Sequence, residues 1–115
     1  GPMMGTALFN LDVPVTKTSS SILAFSKDDV AKCDTSACIH CGRCLNACPE
    51  RLVPQMLMSA ADNDLFDEFE RLNGMECIEC GSCSYVCPAK RPLTQSFKFA
   101  KREVNKLKNK KGGKN

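Results

Sequence analysis

Cysteine is the residue type whose spacing in this chain carries the clearest chemistry. The chain has 115 residues and nine cysteines, and eight of these fall into two copies of one pattern. Each copy has three cysteines at two-residue spacings and a fourth after three residues, followed at once by proline. The copies are Cys38, Cys41, Cys44, Cys48 and Pro49, and Cys77, Cys80, Cys83, Cys87 and Pro88. This run of thiolates is typical of 4Fe-4S ligation. The sequence therefore predicts two 4Fe-4S clusters and one-electron transfer.

The assignment of the cysteines to two clusters is carried over from two-cluster ferredoxins. Two-residue spacings bring three sulfur atoms close together on one loop, whereas the proline after the fourth cysteine turns the chain in a new direction. In two-cluster ferredoxins this fourth cysteine binds the other cluster. Carried over from that pattern, one cluster takes Cys38, Cys41, Cys44 and Cys87, and the other takes Cys77, Cys80, Cys83 and Cys48. The crossing predicts that both motifs belong to one folding unit.

Zinc and disulfides are the alternatives for so many cysteines. Zinc sites usually combine two separated cysteine pairs, and the present pattern has three evenly spaced cysteines and a cysteine-proline, twice. Disulfide frameworks belong to secreted proteins, and we expect no signal peptide, since no adequate apolar run follows Met3 and Met4. The pattern favours iron-sulfur ligation in a reducing compartment.

Two further residues beside the first motif are candidates for metal binding. Cys33 shortly precedes Cys38 and has no counterpart in the repeat, and His40 occupies the position that Glu79 has in the second motif. Because both ligand sets are complete without them, we interpret Cys33 as a free thiol or small packing residue. By the same reasoning, His40 is interpreted as an exposed loop residue or one that contacts a ligand.

Helical periodicity follows each cysteine-proline pair, so the repeat extends beyond the ligands. Pro54 suits a first helical turn, and apolar residues continue at helical spacing until Asn73-Gly74 provides a stop. The segment between the motifs has room for two helices. Pro92 opens another helix, with apolar residues at helical spacing: Leu93, Phe97, Ala100, Val104 and Leu107.

The first 25 residues differ in character from the rest. Residues 8–15 and 21–25 are rich in apolar and β-branched types and predict two short strands. A lone hairpin is barely stable, so we expect these strands to pack on the helical part or to belong to the sheet of a longer protein. The predicted fold is mainly α, a helical dicluster ferredoxin-like domain with a short β-type N-terminal segment. Its divisions are a strand-like segment at 1–25, the dicluster domain at 26–107 and a basic disordered tail at 108–115.

Charge and composition restrict the partners. The formal net charge of +3 becomes roughly −1 when two clusters are bound, because an oxidised cluster with four thiolates carries about −2. Arg43, Lys90 and Arg91 flank the motifs and are interpreted first as ordinary surface charges, or else as groups that tune potential or guide an acidic partner. With no tryptophan and one tyrosine, nucleic acid is not an expected partner. No apolar run could span a bilayer, so we expect any membrane association to come through a partner.

The sequence also resembles a known family, up to about Leu107. The similar segments are Gly1 to Gly5, Asp12 to Lys17, Ser36 to Cys44, Cys48-Pro49 with Leu52 and Pro54-Gln55, Cys77 to Pro88, and Pro92-Leu93. Together they resemble the C-terminal ferredoxin-like part of the C subunit of the Rnf complex. The cluster motifs alone are shared by many families, and the upstream segment is what favours this one.

The resemblance implies a module that passes electrons within an ion-translocating ferredoxin:NAD oxidoreductase. The parent subunit would be peripheral, on the cytoplasmic side of a bacterial or archaeal cell membrane. FMN and NADH would bind only in an upstream part, so we expect no catalysis by this fragment alone. The implied partners are other Rnf subunits, especially the ferredoxin-rich B subunit, and redox proteins.

Other function classes stay open at this stage. One is a free-standing dicluster ferredoxin, and another is the iron-sulfur module of a heterodisulfide reductase or glycerol-phosphate dehydrogenase. A structural or sensing metal domain is the third. The coupling ion, sodium or proton, does not follow from the residues.

Overall fold

The fold is built from helices that follow the cysteine loops. The computed structural model describes residues 5, 8, 10–29 and 32–112. Within these ranges it has no strand, so the prediction of a mainly α fold is confirmed. The helices are α1 (Arg43–Ala47), α2 (Pro54–Asp62), α3 (Phe66–Arg71), α4 (Ser82–Val86) and α5 (Leu93–Gly112), with a 3₁₀ turn at Gly74–Glu76 between α3 and α4.

The repeat of the cysteine motifs is also a repeat of backbone conformation. Gly42 and Gly81 precede α1 and α4 with φ angles of 75° and 83°, a left-handed conformation that glycine adopts without a Cβ penalty. His40 and Glu79, two positions earlier, have φ angles of 57° and 58°. Helix α1 packs against α4, and α2 packs against α5. Each half of the repeat therefore packs on its counterpart.

The connecting helices begin and end where local chemistry favours it. Pro54 lies in the first turn of α2, where its missing N–H costs no helical hydrogen bond. Helix α3 carries Asp67 and Glu68 in its first turn and Arg71 in its last, which complements the helix dipole. After α3 the chain turns at Asn73, whose φ of 60° is left-handed. The stop predicted at Asn73-Gly74 is confirmed.

One small core joins the helices and reaches the cysteines. Its largest fully buried side chains include Leu57 of α2, Phe69 of α3 and Phe97 of α5. The rings of Phe69 and Phe97 are tilted by 46° with centroids 6.2 Å apart, a favourable aromatic geometry. Four cysteines pack against this core while remaining partly exposed: Cys44, Cys48, Cys77 and Cys87. The packed core thus forms one side of each set of cysteines.

The strands predicted near the N-terminus are not supported. Residues 10–15 and 21–25 have no strand and are exposed, and part of the first predicted strand lies outside the described residues. Leu11 is 98 % exposed and Phe25 is 71 % exposed. Strands need a partner for their backbone groups and a face to bury. The described part of this chain provides no sheet for these segments to join, which explains the difference.

The segment predicted as a basic disordered tail, 108–115, is helical as far as Gly112. Helix α5 continues to Gly112, and residues 113–115 lie outside the described part. Lysine is a good helix former, and Lys108 forms an ion pair with Glu70 of α3, so the helix extends past its apolar stripe. Leu107, predicted to be in that stripe, is 44 % exposed. Of the helices in the described ranges, none is long and apolar enough to cross a membrane.

Candidate functional site

The first cysteine motif lines a cavity together with a cysteine of the second motif. Cys38, Cys41 and Cys44 come from the loop and first turn of α1, and Cys87 directly follows α4. The cavity has a volume of about 380 Å³. Further walls come from α2, from the turn after α4 and from the start of α5: Gln55, Met56, Met58, Ser59, Asp62, Asn63, Pro88, Ala89, Arg91 and Leu93.

The second motif makes the reciprocal arrangement. Cys77, Cys80 and Cys83 line a cavity with Cys48, which directly follows α1. Leu52, Pro54, Thr94 and Phe97 also line it. The cysteines therefore line the cavities as two mixed sets, each with three cysteines from one motif and one from the other half of the repeat.

The two cavities differ in exposure and in size. Cys38 and Cys41 are exposed, whereas Cys77 and Cys80 are partly buried and Cys83 is buried. The second cavity measures only about 20 Å³.

Backbone amides in equivalent positions donate to cysteine sulfur atoms. The N–H of His40 donates to Cys38 Sγ and that of Glu79 to Cys77 Sγ, both at 3.4 Å. The N–H of Leu52 donates to Cys48 Sγ, also at 3.4 Å. Hydrogen bonds of this kind stabilise negative charge on sulfur and tune iron-sulfur potentials. The left-handed loop residues place the first two of these donors.

Burial works against the thiolate form of three cysteines. It raises the pKa of Cys44, Cys77 and Cys83 above the ordinary value, and it is the largest cause for each. Backbone N–H groups oppose the rise at each, and the Thr94 side chain opposes it at Cys83 and Lys101 at Cys77. Thiolate is the form that binds metal. The positive charge of a bound iron core would stabilise the thiolate form of these three cysteines.

Each cysteine loop also has a cation nearby that is paired with a carboxylate. At the first, Arg91 Nη2 donates to Asp62 Oδ2 at 2.8 Å, and Arg91 Nε is buried with no hydrogen-bond partner among the described residues. At the second, Lys101 Nζ lies 3.3 Å from Glu79 Oε1 and donates to the Cys77 carbonyl at 2.8 Å. A buried unpaired N–H in the wall of the first cavity fits an anionic group there.

The donor set fits iron-sulfur clusters. A tetrahedral zinc site with Zn–S distances of about 2.3 Å holds its sulfur atoms only about 3.8 Å apart. A 4Fe-4S cluster is larger than a single zinc ion, so its four thiolate ligands lie farther apart. Four cysteines around a cavity, with amides that donate to sulfur and a nearby cation, match that requirement.

Cys33 and His40 lie outside these ligand sets. Cys33 is exposed, and its Sγ donates to the Asp29 carbonyl at 3.4 Å. His40 lines the first cavity and forms a hydrogen bond with Gln55 through Nδ1. The cavity therefore includes His40 beside the cysteines, in accord with its interpretation as an exposed loop residue that neighbours a ligand.

Several polar residues near the cysteines were not predicted from the sequence. Asp62 and Lys101 were not identified as site residues, although Asp62 follows Cys38 by the same number of positions as Lys101 follows Cys77. Ser84 and Thr94 were also missed; their hydroxyl oxygens are 2.8 Å apart. The repeat could have indicated Asp62 and Lys101 if it had been followed past the ligands. Nothing in the local pattern around Ser84 and Thr94 marks them as neighbours.

The chain matches a known protein family over about half of its length. Residues 30–88 match the family described as a 4Fe-4S dicluster domain. The match includes both cysteine motifs and the helices α1 to α4.

Several curated proteins are similar over nearly the whole chain, and each is the C subunit of an ion-translocating oxidoreductase complex. That of the proton-translocating ferredoxin:NAD(+) oxidoreductase complex of Clostridium ljungdahlii is 54 % identical over 90 % of this chain and 23 % of its own length. That of the Na(+)-translocating ferredoxin:NAD(+) oxidoreductase complex of Acetobacterium woodii is 48 % identical over 90 % and 24 %. That of the ion-translocating oxidoreductase complex of Methanosarcina acetivorans is 38 % identical over 95 % and 24 %. The chain thus spans about a quarter of the length of these relatives.

Proposed function

Because the chain belongs to the family of 4Fe-4S dicluster domains, we propose that it transfers electrons through two clusters as a module of an Rnf-type ferredoxin:NAD oxidoreductase complex. The observation that carries this proposal is the division of eight cysteines into two mixed sets, each around one cavity. Ligands of the first cluster are Cys38, Cys41, Cys44 and Cys87. Ligands of the second are Cys77, Cys80, Cys83 and Cys48.

In this proposal the clusters exchange electrons, and groups of the protein bind the clusters and stabilise their charge. Bound 4Fe-4S clusters supply reversible one-electron oxidation and reduction. The cysteines hold them, and the amides of His40, Leu52 and Glu79 stabilise charge on the sulfur atoms. The apolar core beside the cysteines limits water on one side, and the exposed loop of the first motif leaves the other side open to a redox partner.

The proposal of a module rather than a free ferredoxin is supported by the N-terminal segment. Leu11, Ile22 and Phe25 are each at least 71 % exposed, and a domain that works alone seldom presents so much apolar surface in one segment. Similarity to subunits about four times longer supports the same view. We assign residues 1–25 to contacts with an upstream part of a parent subunit and residues 26–107 to the dicluster domain.

The remaining roles are inferred from the Rnf relationship. FMN and NADH are assigned to the upstream part of the parent subunit, outside the region of similarity. The partners are other Rnf subunits, with the ferredoxin-rich B subunit as the proposed electron partner. The proposed location is peripheral, on the cytoplasmic side of the membrane.

Metal analysis under strict exclusion of oxygen tests the cluster assignment. We expect about eight irons and eight acid-labile sulfides per chain, because each cluster contains four of each. Reduction with dithionite should give the EPR signals of reduced 4Fe-4S clusters. Colourless protein, or protein that holds zinc in place of iron, would contradict the proposal.

Partner transfer is a separate test. The loaded domain, reduced anaerobically, is mixed with purified Rnf B subunit, and oxidation of its clusters is followed by absorbance. We expect oxidation that accelerates as more of the B subunit is added and then saturates. No transfer to this partner, with normal iron content, would remove the B subunit from the proposal and leave the cluster assignment intact.

A further inference from the structure

Lys101 of α5 is held directly against the second cysteine loop. Its ammonium group donates to the carbonyl of Cys77 at 2.8 Å and lies 3.3 Å from Glu79 Oε1. The lysine side chain is only 21 % exposed. A charge in such a position interacts more strongly with its surroundings than a surface lysine does, because less water screens it.

The first half of the repeat has the opposite charge at the equivalent position. Asp62 follows Cys38 by the same number of residues as Lys101 follows Cys77. Asp62 lines the first cavity and forms an ion pair with Arg91. Each site therefore has a cation paired with a carboxylate, but the carboxylate of the first pair, Asp62, occupies the repeat position that the cation of the second pair, Lys101, occupies. The two sites therefore differ in which position of the repeat carries the cation, as well as in the exposure of their cysteines.

We propose that Lys101 is a positioning residue that fixes the Cys77 loop and raises the reduction potential of the second cluster. Reduction adds one electron from an external donor and makes no bond, so the site becomes more negative by one charge. A cation held at a fixed distance stabilises that reduced state. The inference rests on the proposed function, because it assumes a cluster bound by Cys48, Cys77, Cys80 and Cys83.

The test is an anaerobic potentiometric titration of the loaded protein, with EPR detection of each reduced cluster. Lys101→Met removes the charge and keeps a chain of similar length. We expect the potential of one cluster to shift to a more negative value and that of the other to stay in place. Lys101→Arg keeps the charge and should leave both potentials close to those of the parent protein.

Glu79→Gln gives the converse result if the proposal is right. The lysine charge is then no longer offset by a carboxylate, so the same cluster should shift to a more positive potential. Asp62→Asn removes the carboxylate beside the first cavity. It should raise the potential of the first cluster and leave that of the second unchanged. This variant identifies which signal belongs to which site.

Lys110→Met is the matched control on the same helix. Lys110 is exposed and lies about 13 Å farther along α5, at about 1.5 Å per residue. Its replacement should change neither potential. Comparison with Lys101→Met separates the local effect from a change in total charge.

The outcomes are distinct. Unchanged potentials in Lys101→Met and Glu79→Gln, with about eight irons retained, would overturn the proposal and leave the cluster assignment standing. Loss of iron from Lys101→Met that Lys101→Arg restores would support the positioning role, and Glu79→Gln then decides the effect on potential. A parent protein without iron would instead overturn the proposed function.

Discussion

Single residues set the local chemistry of each cysteine loop. A left-handed residue, His40 or Glu79, follows the first ligand by two positions and directs its N–H to that ligand's sulfur. A left-handed glycine, Gly42 or Gly81, then opens the short helix that carries the third ligand. Because the same conformations recur in both halves of the repeat, a short stretch of sequence is sufficient to build each loop.

Gly74 is the residue where added volume should matter most. A Cβ at this position would overlap the ring of Phe69, which is fully buried. We expect Gly74→Ala to lower the free energy of unfolding by about 1–3 kcal/mol, the usual cost of overpacking. Anaerobic chemical denaturation followed by circular dichroism measures the change.

Gly112→Ala is the control for this substitution. A Cβ at Gly112 meets no atom within 4 Å, and alanine is the better helix former by about 1 kcal/mol. The free energy of unfolding should be unchanged or slightly higher. Equal destabilisation by both substitutions would contradict the steric account of Gly74.

At the scale of elements, α5 connects the two candidate sites. Leu93 at its start lines the first cavity, and Thr94 and Phe97, within its first two turns, line the second. One turn beyond Phe97, Lys101 contacts the carbonyl of Cys77. The helix therefore fixes both cysteine loops relative to each other, and a change in its packing should affect both.

Phe97 provides the test of that packing. It is 1 % exposed and contacts Phe69, so Phe97→Ala should lower the free energy of unfolding by about 3–5 kcal/mol through lost burial and a cavity. That is a large share of the stability of a small domain. Iron content after anaerobic purification should fall with it, because the ring also lines the second cavity.

Phe99→Ala is the matched control, two positions along the same helix. Phe99 is 49 % exposed, and its ring centroid lies 6.4 Å from that of Phe66. We expect a loss below about 1.5 kcal/mol, since Phe99 is half exposed and contributes mainly through its pair with the partly buried Phe66, and we expect normal iron content. If Phe99→Ala lowers the free energy of unfolding as much as Phe97→Ala does, the placement of Phe97 in the core and of Phe99 at the surface is wrong.

At the scale of the whole molecule, the two halves of the repeat depend on each other. Each cavity takes three cysteines from one half and one from the other, and α1 packs on α4 as α2 packs on α5. Clusters bound in this way would tie together segments that are far apart in sequence. Because such links add to a small core, folding and cluster binding should be coupled.

Paired cysteine substitutions test the crossed assignment. Under crossing, Cys41→Ala with Cys87→Ala removes two ligands from the same cluster and should leave about four irons per chain. Cys80→Ala with Cys87→Ala removes one ligand from each cluster and should leave less iron. If the variant without Cys80 and Cys87 kept more iron than the variant without Cys41 and Cys87, Cys87 would bind the same cluster as its own motif. Cys33→Ala, outside both sets, should keep about eight irons.

Removal of both clusters should weaken the entire domain. Anaerobic treatment with an iron chelator and a denaturant, followed by dialysis, gives the metal-free chain. We expect a lower midpoint of thermal unfolding by circular dichroism, because the links between the halves are lost and buried sulfur atoms have no partner. Reconstitution with iron and sulfide should restore the midpoint. An identical midpoint with and without iron would contradict the coupling.

Features that depend on local interactions were predictable from the sequence, and features that depend on distant contacts were not. The helices after the cysteine-proline pairs were predictable because Pro54 and the apolar spacing act locally. Strands at 8–15 and 21–25 were predicted from residue types, yet strands need a partner that these residues do not have within the described part of the chain. Residues 108–112, assigned from the sequence to a basic disordered tail, continue α5, where Lys108 forms an ion pair with Glu70, a residue far away in the sequence.

The sequence by itself determined the eight candidate ligands, the repeat and the mainly helical fold, since cysteine spacing and helical periodicity act over short stretches of chain. Only the tertiary structure decided which cysteines share a cavity, how unequally the two cavities are buried, and that Lys101 and Asp62 lie beside opposite sites. Those features depend on α5 packing across α2 and on contacts between residues distant in the sequence, such as Arg91 with Asp62 and Lys101 with Cys77. Packing of the common core brings them together, and no local pattern encodes it.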